Sequence, residues 1–248
     1  MLPVALEDAT KVVQAFLYSG KEYVCLMQVH ADVSEPTLRY VLNEFTGEIY
    51  QKPPLRASVK REPRKRFIYQ LTVHEIDGRT VLFTTSCQAG TYIRKLCSDI
   101  GEVLGCGAHM RELRRTRSGP LTEDSGLVNL HELSSAVAEY QKGNESSLRA
   151  IIKPMEVALG ALPEIVIRDS AVDAICHGAD LAVPGVVKLD SAIEKNKPVA
   201  IFTLKGEAVA LGRALMTSRE ILDQEKGVTA KTERVLMERG TYPAIWKH

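Results

Sequence analysis

The chain has almost no excess of either charge. Across 248 residues, 32 Lys and Arg stand against 31 Asp and Glu, a net charge of +1. Global charge therefore does not announce a nucleic-acid binder, and any such role must come from local clustering. No Cys-x-x-Cys pair occurs. The five cysteines (Cys25, Cys87, Cys97, Cys106 and Cys176) are irregularly spaced and read as reduced, mostly buried thiols of an intracellular protein. The six histidines are scattered and no His-Glu-x-x-His string is present, so a metal centre is not expected. No apolar run approaches membrane-spanning length, and the first residues carry neither a secretory nor a transit signature. No membrane partner and a cytoplasmic location are expected. Internal repeats, low-complexity tracts and a glycine-rich cofactor fingerprint are all missing, which weighs against a metabolic α/β enzyme built on a nucleotide cofactor.

What is present is concentrated in Gln88 to Pro120. Val81 to Ser86 is β-branched and apolar enough for a buried strand. Ala89-Gly90 breaks it, and Thr91 stands where a helix N-cap would stand. Ile93, Leu96, Cys97, Ile100, Val103 and Leu104 then recur at helical spacing. Gly105-Cys106-Gly107 ends the helix and turns the backbone sharply. Arg111, Arg114, Arg115 and Arg117 follow closely, while Arg94 stands apart in the first helical turn. An arginine there can hold a carboxylate or phosphate with two parallel bonds. The bland alternative is an ordinary βαβ-like unit with a solvated basic strand.

Around this stretch the order of elements reads as follows. Met1 to Leu17 predicts a helix with Leu2, Ala5, Ala9, Val12, Val13, Phe16 and Leu17 on one face. Gly20 to Val29 opens a strand containing Tyr23. Ser34 caps a helix to Phe45, with Pro36 in its first turn, and Gly47 to Tyr50 ends it. Gln51 to Arg66 is the most basic window, carrying Lys52, Arg56, Lys60, Arg61, Arg64, Lys65 and Arg66 against Glu62 alone. Its prolines argue for a loop, which either contacts a phosphate backbone or merely faces water. Phe67 to Ser86 reads as a hairpin turning at Asp77-Gly78. Leu130 to Tyr140 and Leu148 to Leu159 read as helices. Beyond Ala161-Leu162-Pro163 the pattern changes to short strands punctuated by glycine: Glu164–Arg168, a helix capped by Ser170 and closed by Gly178, a turn at Pro184-Gly185, a hairpin over Val199–Leu215, a last strand over Val235–Met237, and Trp246 anchoring the tail. The expected fold class is α+β: a mixed-sheet domain over residues 1–161 followed by a small β-barrel over residues 162–248.

Taken as ordered strings, Gly90-Thr91-Tyr92-Ile93-Arg94, Gly105-Cys106-Gly107-Ala108-His109 and Leu113-Arg114-Arg115-Thr116-Arg117-Ser118-Gly119-Pro120 resemble the TruB/dyskerin family of RNA pseudouridine synthases, in its archaeal dyskerin branch. His177 to Val186 resembles a PUA domain, an RNA-binding module. The resemblance covers essentially the whole chain. It implies a pseudouridine synthase catalytic domain followed by a PUA barrel, isomerising uridine in the TΨC loop of tRNA, in rRNA under an H/ACA guide RNA, or both. Small protein subunits of the guide-RNA particle are the implied protein partners, and no cofactor is needed. Arg94 takes the place of the arginine that pairs with the catalytic aspartate. Tyr23 takes that of the tyrosine that stacks on the target base and serves as a proposed general base. Leu113 and Tyr92 belong to the substrate pocket, although Leu113 could equally be core packing and Tyr23 a packed strand tyrosine. Lys52, Arg56, Lys60, Arg61, Arg64, Arg114, Arg115, Gly178 and Gly185 are implied RNA contacts. His177 is read as a capping or packing residue.

One element departs from the family. The catalytic aspartate lies in a Gly-Thr-Leu-Asp motif just ahead of a segment resembling Leu2 to Gln14, and no such string occurs in these residues; Leu189-Asp190 and Leu222-Asp223 lack the Gly-Thr. Three readings stay open: a synthase whose aspartate lies upstream of Met1, a truncated non-catalytic RNA-binding module, and, least supported, an unrelated metabolic enzyme.

Overall fold

The computed structural model describes residues 1–54 and 59–244. Its described residues fall into two compact units: Met1–Pro3 with Leu17–Leu127, and Val4–Phe16 with the chain from Val128 on. The chain opens with a 3-10 turn, Glu7–Val12, followed by a short helix α1 (Val13–Tyr18). This corrects the expected long first helix: only Val12 and Ala15 are buried, while Leu2 and Leu17 are 75% and 62% exposed. The apolar period was real, but Leu2, Val13 and Leu17 of its stripe are exposed, and Ala5, Ala9 and Phe16 are only partly covered.

The first unit is one sheet with helices. In chain order its elements are β1 (Lys21–Val29), α2 (Glu35–Glu44), β2 (Gly47–Gln51), β3 (Arg64–Asp77), β4 (Thr80–Cys87), α3 (Ile93–Val103), β5 (Ala108–Ser118) and β6 (Leu121–Thr122). The six strands lie in the order β2-β3-β4-β1-β5-β6. Val81, Phe83, Thr85 and Cys87 of β4 are buried on alternate positions, as a half-covered strand requires. Ser34 caps α2, accepting from the Thr37 amide. In α3, Ile93, Leu96, Cys97 and Ile100 form the buried stripe and join Cys25, Met27, Val29, Leu38, Leu42, Ile68 and Phe83 in one core. Each such aliphatic side chain contributes about 1.5–3 kcal/mol on burial.

Several boundaries differ from the sequence reading. Gly47 to Tyr50 does not merely end α2 but begins β2, which pairs antiparallel with β3 from Gly47↔Ile68 to Gln51↔Arg64. Arg64, Lys65 and Arg66 therefore lie in a strand rather than a loop. The α3 N-cap is Tyr92, not Thr91, whose hydroxyl instead donates to the Gln88 carbonyl at 2.7 Å.

The second unit begins with α4 (Leu130–Gln141), capped by an Asn129–Glu132 capping box, then α5 (Ser146–Ile151) and α6 (Glu156–Leu159). The single helix expected over Leu148–Leu159 is thus two pieces, with Pro154 between them. There follow β7 (Glu164–Ile167), α7 (Asp169–Cys176), β8 (Leu181–Ala182), β9 (Val186–Leu189), β10 (Pro198–Thr203), β11 (Ala208–Ala214), α8 (Ser218–Asp223) and β12 (Val228–Val235). Arg168 rather than Ser170 is the N-cap of α7, and β12 lies earlier than the expected Val235–Met237 strand. Trp246 falls outside the described residues.

The strand order here is β8-β12-β11-β10-β7-β9. Its two edge strands, β8 and β9, are joined by only the turn Val183–Gly185. A linker that short spans roughly 10 Å, so the sheet must roll until its edges approach, which makes it barrel-like. Val12, Ala15, Ala158, Leu159, Ala200, Phe202 and Leu211 build a separate core in this unit. The first unit's sheet ends at Thr122 and the second's begins at Glu164, so no sheet runs through Ala161. Among the described residues no helix is long and apolar enough to cross a membrane.

Candidate active site and RNA-binding surface

The site follows from the topology of the first unit. Both β4 and β5 are antiparallel to β1 and flank it. Helix α3 therefore crosses over β1, starting from the β1 end where Lys21 faces Cys87 and finishing where Val29 faces Ala108. The Cys25 and Cys97 sulfurs, 3.6 Å apart, seat α3 on β1. Contact with the Cys25 thiol and burial push the Cys97 thiol well above its ordinary pKa, so this pair is packing rather than a reactive thiolate. Arg94 precedes Cys97 by about 4.5 Å of helix rise, and Tyr23 precedes Cys25 by roughly 6.6 Å of strand. Both residues thus sit toward the same end of the α3–β1 pair.

Tyr23 is half-buried against the first core. Burial raises its phenol above the usual tyrosine range, the neighbouring Cys87 adds to the effect, and the Arg115 guanidinium pulls it back. At neutral pH it is a neutral phenol, suited to stacking and hydrogen-bond donation. Arg115 faces Tyr23 across β1 and β5, and its Nε donates to the Met1 carbonyl at 3.0 Å. Arg94 is exposed, and its guanidinium has no bonded partner among the described residues. Leu113 lies opposite Cys25 and is 40% exposed. At that exposure Leu113 is not a fully buried core side chain. Leu113 and Arg115 share one face of β5, two residues apart, and that register carries both alongside β1.

Tyr92 is half-buried, and its main chain is held by a residue that sequence reasoning missed. Gln51, at the end of β2, is only 2% exposed. Its Nε2 donates to the Tyr92 carbonyl at 3.1 Å, and its Oε1 accepts from the Tyr92 amide at 3.0 Å. Nothing in a proline-flanked polar run signals such burial; the one available hint was a neutral amide among cations.

The basic residues divide by their surroundings. Lys52, Lys60 and Arg61 are exposed. Arg64 opens β3 and contacts the Lys60 carbonyl weakly at 3.4 Å. Arg56 lies outside the described residues. Arg66 donates to the Gly90 carbonyl at 3.1 Å, so it braces the turn before α3. Arg114, 69% exposed, is tied to Glu123 at 2.7 Å. Arg117 donates to Ser86 Oγ at 2.8 Å and Arg111 to Gln28 Oε1 at 3.2 Å. The arginine strand is therefore partly committed to internal bonds, whereas Lys52, Lys60 and Arg61 carry no such ties among the described residues. Gly178 and Gly185 belong to the second unit. Gly178 closes α7 at a groove of about 310 Å³ lined by Lys11, His177, Met237 and Arg239. A methyl at Gly185 would meet Ala171 and Leu181 at 3.2 Å, so this glycine sits in a tightly packed place. His177 Nδ1 lies 2.8 Å from the Asp173 carbonyl, a helix-end contact.

With this geometry in hand, comparison with known proteins gives consistent matches. Residues 1–93 match the model of the TruB family pseudouridylate synthase N-terminal domain. Residues 94–160 match the tRNA pseudouridylate synthase B C-terminal domain, and residues 163–236 the PUA domain. The chain is 56% identical over 247 residues to the probable tRNA pseudouridine synthase B of Methanopyrus kandleri, covering 99% of this chain and 73% of that protein. It is 54% identical to the protein of the same name from Pyrococcus abyssi, covering 99% and 74%. Among solved structures, a Cbf5-Nop10-Gar1 complex matches with a TM-score of 0.95 at 54% identity, covering 99% of this chain and 75% of that one. An H/ACA RNP bound to a substrate RNA containing 2′-deoxyuridine matches with a TM-score of 0.89 at 50% identity, covering 97% and 73%.

Proposed function

The chain belongs to the TruB family of pseudouridine synthases, and from that premise we propose that it serves to flip a target uridine out of RNA and isomerise it to pseudouridine, with Arg94 and Tyr23 at the reacting base. What supports this reading is that Tyr23 and Leu113 share a face of the sheet by register, that α3, seated on β1 through Cys25 and Cys97, starts at the Tyr23 end of β1, and that the Arg94 guanidinium has no bonded partner among the described residues. In that role the Arg94 guanidinium holds the catalytic carboxylate or the target phosphate with paired bonds. Tyr23 stacks on the flipped base as a neutral phenol, and its raised pKa disfavours a phenolate base in the RNA-free state. Leu113 and Tyr92 wall the pocket.

The proposed division of labour is a catalytic domain over residues 1–161 and a PUA domain over residues 162–248. Lys52, Lys60, Arg61 and Arg64 meet the phosphate backbone, positioning RNA without reading its sequence. Arg114 and Arg115 add to this surface, and the Gly178 groove of the second unit is a separate proposed RNA contact. The names of the curated relatives favour tRNA as substrate. The matching Cbf5-Nop10-Gar1 complex and substrate-RNA-bound H/ACA RNP favour work within an H/ACA particle with Nop10- and Gar1-like subunits; rRNA is the substrate proposed for that setting. Either role suits a cytoplasmic protein.

One observation favours a second reading: these residues contain no Gly-Thr-Leu-Asp string, so by themselves they would bind RNA without converting it. The deciding experiment supplies the chain with the family's Gly-Thr-Leu-Asp segment and measures pseudouridine in a TΨC stem-loop, and in rRNA with its guide. Conversion of either RNA is expected and identifies the substrate. Binding of both without conversion of either favours the non-catalytic module.

A further inference from the structure

The turn that launches α3 has no cap of its own. Tyr92, its N-cap, makes no side-chain capping bond, and the guanidinium of Arg94 two residues on has no bonded partner among the described residues. Placement of Arg94 therefore depends on what fixes the backbone of Gln88 to Tyr92. Four bonds from three residues of β2 and β3 do so. The Gln88 amide donates to the Phe67 carbonyl at 2.8 Å. Arg66 Nε donates to the Gly90 carbonyl at 3.1 Å. Gln51 then spends both ends of its amide on the main chain of Tyr92.

Gln51 differs in kind from the other two. A neutral amide buried this completely is costly unless both halves are bonded, and here both halves serve one residue. The two bonds hold the peptide groups on both sides of Tyr92, as a neighbouring strand would. The Tyr92 carbonyl also accepts from the Leu96 amide at 2.9 Å, so the Gln51 clamp is continuous with the first hydrogen bond of the helix.

We infer that Gln51 is a positioning residue for the reaction: it touches no substrate but fixes the start of α3, and through it the approach of the Arg94 guanidinium to RNA. This rests on the reading of Arg94 as a site residue.

The test uses the chain itself, isotope-labelled, with a uridine-containing RNA stem-loop as probe. Two quantities are followed, amide exchange at Tyr92 and the Nε–H resonance of Arg94 on RNA addition. In Gln51→Met, which keeps the bulk and loses both bonds, amide exchange at Tyr92 is expected to speed up by about tenfold or more. The Arg94 response to RNA should be lost, while overall RNA affinity stays within about twofold because the phosphate contacts are untouched. Gln51→Glu covers the case in which Gln51→Met fails to fold. It keeps the acceptor for the Tyr92 amide, and when protonated it regains a donor, so its Arg94 response should return as pH falls. An Arg94 response identical in wild type and both variants, or unchanged Tyr92 exchange, overturns the inference while leaving the site reading standing. If wild-type Arg94 does not respond to RNA at all, the site reading itself falls, and Gln51 is then only a structural clamp.

Discussion

Replacing Gly101 by alanine sets helix propensity against packing, and the two disagree in sign. Gly101 is a buried position near the end of α3. Propensity alone predicts that Gly101→Ala stabilises by about 1 kcal/mol, since glycine is a poor helix former. The structure predicts the opposite. A methyl at Gly101 would stand 2.7 Å from the Ala108 Cβ and closer still to the Ala108 nitrogen and the Gly107 carbonyl carbon. These are largely backbone atoms with no rotamer to escape into. The turn that carries them is also held, by the Gly107 amide on the Gly101 carbonyl at 2.9 Å and by the His30 amide on the Gly107 carbonyl at 3.0 Å. Relief must come from lifting α3 off β1, which loosens Leu96, Cys97 and Ile100. Overpacking of this kind costs about 3 kcal/mol at the upper end of the usual range, leaving a net loss of about 2 kcal/mol after the propensity gain. Hydrogen exchange of α3 and β1 peptides along a urea series reads the first unit separately from the second. Gly105→Ala is the control, since Gly105 has a φ of +72° and open space around it; there only the left-handed backbone is charged, about 1 kcal/mol. If Gly101→Ala raises stability by the amount propensity predicts, the close approach of α3 to the start of β5 is wrong, and the placement of Arg94 over the Tyr23 end of β1 goes with it.

Further outcomes follow from the charged and exposed residues. Substituting Lys60, Arg61 and Arg64 together by alanine should weaken RNA binding broadly and lower the salt slope by roughly one unit for each phosphate no longer neutralised, with little change in melting temperature; an unchanged slope would make the stretch a linker. Because the Tyr23 phenol titrates above its unfolded value near 10, its contribution to stability is complete below that value and is lost as pH rises through the folded pKa. Tyr23→Phe should therefore flatten the alkaline decline of the first unit, and an identical alkaline profile would show that Tyr23 is not buried as described. Leu113→Ala should cost less than about 1 kcal/mol of stability, since the side chain is already exposed, yet lower turnover in the complete enzyme; a large stability loss with normal turnover would reverse its assignment.

How much of this was legible in the sequence depended on whether a pattern carried its own partner. The α3 stripe and its glycine turn were readable because period, break and turn lie in consecutive residues. The β3–β4 hairpin was readable for the same reason. Strand β2 was not, since Gly47 to Gln51 has one β-branched residue and gains its stability from pairing with β3. Strand β12, with Lys231 and Glu233 among its residues, hid behind its charges; Glu233 pairs with Arg213 of β11 at 2.6 Å. The first helix failed in the other direction, showing a stripe whose Leu2 and Leu17 stay largely exposed. At the site, Tyr23, Arg94 and Leu113 came from strings resembling a family, and the shared end of α3 and β1 that holds Tyr23 and Arg94 follows from the β4-α3-β5 crossover. Gln51 had no string or period to mark it, because its role is a tertiary bond between side chain and main chain.

The most direct measurement of the central claim is pseudouridine formation by the chain extended with the family's Gly-Thr-Leu-Asp segment, with and without Arg94→Ala, in an RNA that both proteins bind. The site proposed here requires turnover in the extended chain, loss of most of that turnover in Arg94→Ala with RNA affinity largely kept, and none from the 248 residues alone. Pseudouridine made by the 248 residues alone, or undiminished turnover in Arg94→Ala, would mean that another carboxylate and another cation do the chemistry.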